Sequence, residues 1–170
     1  FYLIPNRVSI NKNEQDLLRI DKIKSYLPDD YTSILRIARI SSAYERSIQQ
    51  AINLTLKLLD KGHKVKLIVI GVVQDEIIYN KLLKFQSENI IFLTSDEFTV
   101  NASEISDVAD IVLGTGRSFM EAALLGKKML VPCENLNLPI LVDKLNIDYF
   151  FSMNFSPRIN ASITNEDAFN

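Results

Sequence analysis

The chain has 170 residues, 47% of them hydrophobic, which is enough apolar material for one core without covalent staples. Nineteen basic residues against 21 acidic ones leave a net charge of −2 with neither sign gathered into a block, so nucleic acid is not an expected partner. The single cysteine, Cys133, excludes an internal disulfide and a cysteine-based metal cluster; the apolar runs are too short for a bilayer-spanning helix, and no positively charged start precedes an apolar signal segment.

The sequence opens at Phe1 rather than Met, and its apolar start Phe1-Tyr2-Leu3-Ile4 reads as a segment from inside a larger protein. Residues 1–4 form a short strand or linker turned by Pro5-Asn6, and 12–26 read as a connector with helical character. Pro28-Asp29-Asp30 then punctuates the chain, setting 1–30 apart from the remaining residues.

Residues 33–37 are the first strong strand. Over 44–60 the period changes: Ile48, Ala51, Ile52, Leu56 and Leu59 recur at helical spacing, with Glu45, Arg46, Gln49, Lys57 and Asp60 on other faces. Gly62 supplies the stop. The run 64–70 is a strand too continuously apolar beyond Lys66 to be half exposed. A second helix over 75–86 places Ile78, Leu82 and Phe85 on one side, with Asp75 and Glu76 suited to its first turn. A third strand is expected over 89–93, a short helix over 103–108 and a fourth strand over 110–113 that opens into Gly114-Thr115-Gly116. A helix over 118–125 ends at Gly126, a fifth strand follows over 128–131, and 148–151 add a last short edge strand. From Pro157 to the end at 170 the sequence is a polar, aperiodic tail. Alternating strands and helices predict an α/β fold over 31–156, a Rossmann-like three-layer sandwich around a mostly parallel sheet.

The most informative stretch runs from Asp110 to Gly126. Two glycines between a strand and a helix let backbone approach a ligand closely and turn N–H groups toward phosphate oxygens, although a tight turn explains the pair as well. The third glycine of a dinucleotide fingerprint and the Gly-Lys-Ser/Thr ending of a P-loop are both absent. Arg117 and Ser118 add a cation and a hydroxyl at the helix start, suited either to an anion or to a serine cap beside a solvated arginine. Glu121, three residues after Ser118, is either the partner in a capping box or a carboxylate placed at the carboxyl edge of the sheet to accept hydrogen bonds from ribose hydroxyls.

In order and spacing, these stretches resemble the C-terminal, nucleotide-sugar-binding domain of group 1 glycosyltransferases, of the glycosyltransferase family 4 kind, which is one half of a GT-B fold. The resemblance covers about 4–150. Ile4-Pro5-Asn6-Arg7-Val8 is similar to the segment that joins the two domains, and Ala38-Arg39-Ile40 to the end of the first strand. Gly62-His63-Lys64-Val65 through Ile70-Gly71 is similar to the next strand, and 109–131 to the donor loop, its helix and the succeeding strand. The resemblance implies that Arg39 is a catalytic cation on the diphosphate, with Arg46 the candidate for a second basic residue. It implies that Gly114, Thr115, Gly116, Arg117 and Ser118 form the loop near phosphates and sugar, that Glu121 binds the ribose, and that Leu93 or Thr94 lies by the base. Leu113 departs from the pattern, since many relatives carry a glutamate there near the transferred sugar.

The function so implied is transfer of a sugar from a UDP- or GDP-linked donor to an acceptor hydroxyl, with no metal and no cofactor beyond the nucleotide-sugar substrate. A missing N-terminal domain of the same chain would carry the acceptor site, and the isolated segment would be inactive. The expected location is cytoplasmic, at the inner face of the membrane when the protein is full length, with peripheral membrane contact left open. A nucleotide-sugar epimerase of the same architecture and a non-catalytic nucleotide-binding module are the alternatives. The only histidine, His63, lies in a turn at the far end of the sheet and speaks against the epimerase; Leu113 keeps the module in play.

Overall fold

A computed structural model describes residues 13–160. The strand or linker expected over 1–4, the Ile4–Val8 stretch and the end of the tail lie outside the described residues. The connector contains a helix, α1 (Glu14–Lys24), closed at its start by reciprocal bonds: the Asp16 N–H donates to Asn13 Oδ1 at 3.0 Å and Asp16 Oδ2 accepts the Asn13 N–H at 2.9 Å. The expected α/β succession continues as β1 (Thr32–Ile37), α2 (Ser42–Asp60), β2 (Val65–Ile70), α3 (Glu76–Leu83) and β3 (Ile90–Leu93). A short α4 (Asp96–Thr99) and a 3-10 helix (Ala102–Val108) lead to β4 (Ile111–Leu113), α5 (Gly116–Leu124), β5 (Lys128–Val131), β6 (Ile140–Leu141) and α6 (Ile147–Ser152).

The six strands make one sheet in the order β3-β2-β1-β4-β5-β6, parallel throughout except for β6. Both faces are covered, as the continuous apolar runs require. On one face Leu35, Ile68 and Val112 meet Ile20 and Ile23 of α1, Ile105 of the 3-10 helix and Phe119 and Ala122 of α5. On the other, Ile34, Leu67, Val69 and Leu113 meet Ile48 and Ile52 of α2 and Leu82 of α3. The chain is therefore a Rossmann-like three-layer sandwich. From β1 it moves outward through β2 and β3, then returns to lay β4 on the opposite side of β1. This reversal opens a crevice between the carboxyl ends of β1 and β4. At the amino ends the same two strands are tied by Asp110, whose Oδ2 accepts from the Ser33 N–H at 2.8 Å and the Ser33 hydroxyl at 2.7 Å.

Several local expectations are corrected. The edge strand expected over 148–151 is instead α6, because only Phe150 of that aromatic run finds the core while Tyr149 and Phe151 remain partly exposed. The edge position belongs to β6, antiparallel to β5, with Leu130 opposite Leu141 and Val131 opposite Ile140. The helix expected from Ser118 begins two residues earlier at Gly116, and α4 forms around the buried Phe98 where no helix was expected. Packing continues past Pro157: Ile159 is buried and its carbonyl accepts the Glu134 N–H at 2.9 Å.

Candidate functional site

The glycine loop leaves β4 at the crevice. Gly114 is buried, its N–H donates to the Leu130 carbonyl at 3.0 Å, and a Cβ built on it would fall 2.8 Å from Phe119 Cα and 2.9 Å from Phe119 N. The loop can lie this close to the first turn of α5 only without a side chain. Gly116, at φ +49°, turns the chain into the helix in a conformation that favours glycine. Thr115 is the residue before the helix, and Ser118 secures it: the Ser118 hydroxyl accepts the Thr115 N–H at 3.2 Å and donates to the Thr115 carbonyl at 3.0 Å. The Gly116 N–H donates to the Phe155 carbonyl at 3.3 Å, and the Phe155 ring stacks on Phe119 at 3.7 Å. A carbonyl of the segment after α6 thus already holds one N–H of the loop.

Glu121 is buried on α5, 7% exposed. The capping box that Ser118 and Glu121 could have formed is not made, because Ser118 turns back to Thr115. Glu121 Oε1 instead accepts from Arg117 Nε at 2.7 Å, one helical turn away. Arg117 keeps most of its side chain in solvent while its guanidinium covers the carboxylate.

Arg39 emerges beyond β1 on the strand next to the glycine loop. It is exposed, donates from Nη2 to the Tyr44 hydroxyl at 3.1 Å, and lies 5.4 Å from the centre of the Tyr44 ring. Arg46, on the second turn of α2, is exposed and donates from Nη2 to the Leu136 carbonyl at 3.2 Å. Beside it a cavity of about 340 Å³ is lined by residues that include Tyr44, Arg46, Ser47, Cys133, Glu134 and Arg158. Of the candidate site residues, Arg46 alone lines that cavity. Leu93 and Thr94 lie at the end of β3, two strands out from β1; the Leu93 side chain is in the core and its carbonyl accepts the Gly71 N–H at 3.3 Å, while Thr94 is half-buried. Leu113 is fully buried among apolar side chains facing α2.

Two residues of this edge escaped the sequence reading. Arg36, fourth from the end of an otherwise apolar stretch ending at Arg39, is 1% exposed and lies under α2, donating from Nη1 to the Leu113 carbonyl at 3.0 Å and from Nη2 to Ser47 Oγ at 2.8 Å. Burial pushes its pKa down to about 10, so it keeps its charge at neutral pH. The signal was present as an arginine inside Ile34-Leu35-Arg36-Ile37. Gln50 is also 1% exposed and binds the loop after β5: Nε2 donates to the carbonyls of Cys133 and Leu136, each at 2.6 Å, and Oε1 accepts the Cys133 N–H at 3.2 Å. No local signal separated it from Gln49.

His63 is exposed just before β2, at the amino edge of the sheet and away from the crevice. Burial pushes the Cys133 thiol up to about 11, so at neutral pH it is not a thiolate nucleophile. Among the described residues no group of three or more histidine, cysteine or acidic side chains is placed to hold a metal ion, and no helix is long and apolar enough to cross a membrane.

The sheet order, its covered faces and the reversal between β1 and β4 define a Rossmann-like α/β domain. No family model matches the sequence, and no curated protein matches it. Among solved structures it is similar to the glycosyltransferase from Rickettsia africae ESF-5, at TM-score 0.50 and 17% identity over 80% of this chain and 42% of that one. It is also similar to E. coli ADP-heptose LPS heptosyltransferase II, at TM-score 0.47 and 16% identity over 76% of this chain and 39% of that one. The likeness is one of fold, and the chain spans about two fifths of the length of either protein.

Proposed function

We propose that this chain is the donor-binding half of a glycosyltransferase, holding a UDP- or GDP-sugar for transfer to an acceptor hydroxyl. The observation that carries the reading is that Arg39 and the glycine loop each follow the carboxyl end of one of two adjacent parallel strands, β1 and β4, where the strand order reverses. Ligands of open α/β sheets bind at such a reversal. In this reading the diphosphate lies between Arg39 and the first turn of α5, with the ribose at Glu121 and the base toward Leu93 and Thr94. The bound ribose exchanges with Arg117 for hydrogen bonds to the carboxylate, which frees that guanidinium to approach the phosphates. Arg46 faces the neighbouring cavity and adds positive charge.

The chemistry this arrangement supports is electrostatic. As the bond from the sugar to the diphosphate breaks, negative charge grows on the leaving oxygen, and the fixed cations and N–H groups stabilise it without a covalent intermediate or a metal in this half. A second Rossmann-like domain on the same polypeptide supplies the acceptor groups and excludes water.

Calorimetric titration with UDP and GDP tests the reading. One nucleotide should bind, and Glu121→Ala should weaken it by about 1–3 kcal/mol, the scale for losing a buried charged hydrogen-bond partner. Unchanged affinity in Glu121→Ala would remove Glu121 from the site; absence of binding to the chain and to the full-length protein would end the proposal. The burial of Leu113 favours one second reading, a non-catalytic nucleotide-binding module, because the end of β4 presents no carboxylate to a sugar. Nucleotide binding by a full-length protein that turns over no sugar donor would select it. Exposed His63 supplies no imidazole to the crevice, which leaves the epimerase reading without support.

A further inference from the structure

The guanidinium of Arg36 is enclosed between the sheet and α2 with no carboxylate in contact among the described residues. Its two hydrogen-bond acceptors are a backbone carbonyl and a hydroxyl, and Nε has no partner. A cation in this position is not what stability alone selects, since well-packed apolar side chains commonly serve a core better than buried charge. The partners show what the charge is connected to. The Leu113 carbonyl is the last of β4, immediately before the glycine loop. Ser47 Oγ, the other acceptor, donates in turn to the Tyr44 carbonyl at 2.8 Å, and the Tyr44 hydroxyl and ring hold Arg39. One buried side chain therefore ties together both sides of the crevice.

We propose that Arg36 is a positioning residue for diphosphate binding, setting Arg39 through Ser47 and Tyr44 and setting the glycine loop through the Leu113 carbonyl. The inference rests on the reading of this crevice as the site of a nucleotide diphosphate. Arg36 does not touch the ligand. It fixes the direction from which the exposed cation and the loop N–H groups meet it, and its own charge, uncompensated by a carboxylate, adds to the attraction for an anion at the strand ends. Leu113 stands beside Arg36 in register on the neighbouring strand, so a carboxylate introduced there would cancel that charge.

The test compares inorganic pyrophosphate, UDP, GDP and the nucleosides uridine and guanosine by calorimetry on the wild-type chain and on Arg36→Met, Arg36→Lys, Ser47→Ala and Leu113→Glu. Arg36→Met should weaken pyrophosphate by about tenfold, the scale of a lost charge-assisted interaction, while nucleoside affinity changes by less than about twofold. Arg36→Lys should recover part of the loss by restoring charge without the two-pronged bridge, and Leu113→Glu should weaken pyrophosphate in the same direction as Arg36→Met. A merely structural role would instead weaken nucleosides and pyrophosphate together, and would overturn the proposal. So would pyrophosphate affinity unchanged in Arg36→Met, or a wild-type chain that binds no pyrophosphate. If Arg36→Met does not fold, Ser47→Ala decides by the same comparison, because it cuts the link to Tyr44 and leaves the charge in place. A wild-type chain that binds pyrophosphate but, like the full-length protein, neither UDP nor GDP would sink the nucleotide reading and still leave Arg36 to be judged on pyrophosphate.

Discussion

Gly114 has no room for a side chain, and the atoms in the way belong to backbone. A methyl group there would meet Phe119 Cα at 2.8 Å, so Gly114→Ala must push the first turn of α5 away from the strand. We expect a loss of about 1–3 kcal/mol in urea denaturation, the usual cost of overpacking, together with weaker nucleotide binding as the Arg117 and Ser118 N–H groups shift. Cys133 makes a different kind of prediction. Its folded pKa of about 11 lies above the ordinary 9.0, so the thiol contributes stability that is fully present below pH 9 and is lost as pH rises through 11. Urea midpoints measured at pH 8 and pH 10.5 should therefore fall more for the wild type than for Cys133→Ala. Arg36 titrates over an overlapping range with the opposite sign, because its depressed pKa relieves a burial cost once the proton leaves, and the comparison with Cys133→Ala separates the two.

Among the elements, α2 does the most to shape the crevice. Its inner face packs on the sheet through Ile48, Ala51 and Ile52, while Gln50 reaches sideways to the loop after β5 with three hydrogen bonds. That loop carries Cys133 and Glu134 along the cavity wall. Gln50→Ala leaves the Cys133 N–H and carbonyl without their partner in the interior, and we expect a loss of about 2–3 kcal/mol with faster hydrogen exchange at the Cys133 amide. The segment after α6 bears on the glycine loop in a similar way. Phe155 stacks on Phe119 while its carbonyl takes the Gly116 N–H, and both Asn154 and Phe155 adopt left-handed φ values of 51° and 49°. A ligand that uses the Gly116 N–H has to displace that carbonyl.

For the whole molecule, the crevice opens at one edge of a single sheet, and the adjoining cavity of about 340 Å³ sits at the low end of the roughly 300–1,000 Å³ range of ligand pockets. In the proposed reading, one domain of this shape would offer cations and N–H groups to one side of a nucleotide sugar and leave the other side to water. We therefore predict that the 170-residue chain alone transfers no sugar to an acceptor, even where it binds a nucleotide. Assay with radiolabelled UDP- and GDP-sugars checks this, and measurable transfer by the chain alone would contradict it.

The sequence by itself determined the succession of elements, because apolar periodicity changes cleanly between the runs that became β1, α2 and β2, and because Gly114 and Gly116 mark a strand-to-helix passage whatever surrounds them. It also placed Glu121 on the body of α5 and His63 at the opposite end of the sheet. Strand order lay beyond it, since parallel β-α-β units specify the handedness of each crossover but not the side on which β4 returns. The 148–151 run misled for a related reason: aromatic residues suit strand and helix alike, and the burial of Phe150 alone selected the helix. Only tertiary structure decided the partners. Glu121 pairs with Arg117 rather than Ser118, Gln50 rather than Gln49 binds the distant loop, and Arg36 turns inward to join the ends of β4 and α2. Those choices depend on which groups long-range packing leaves within about 3 Å of one another, and neither composition nor local spacing carries that information.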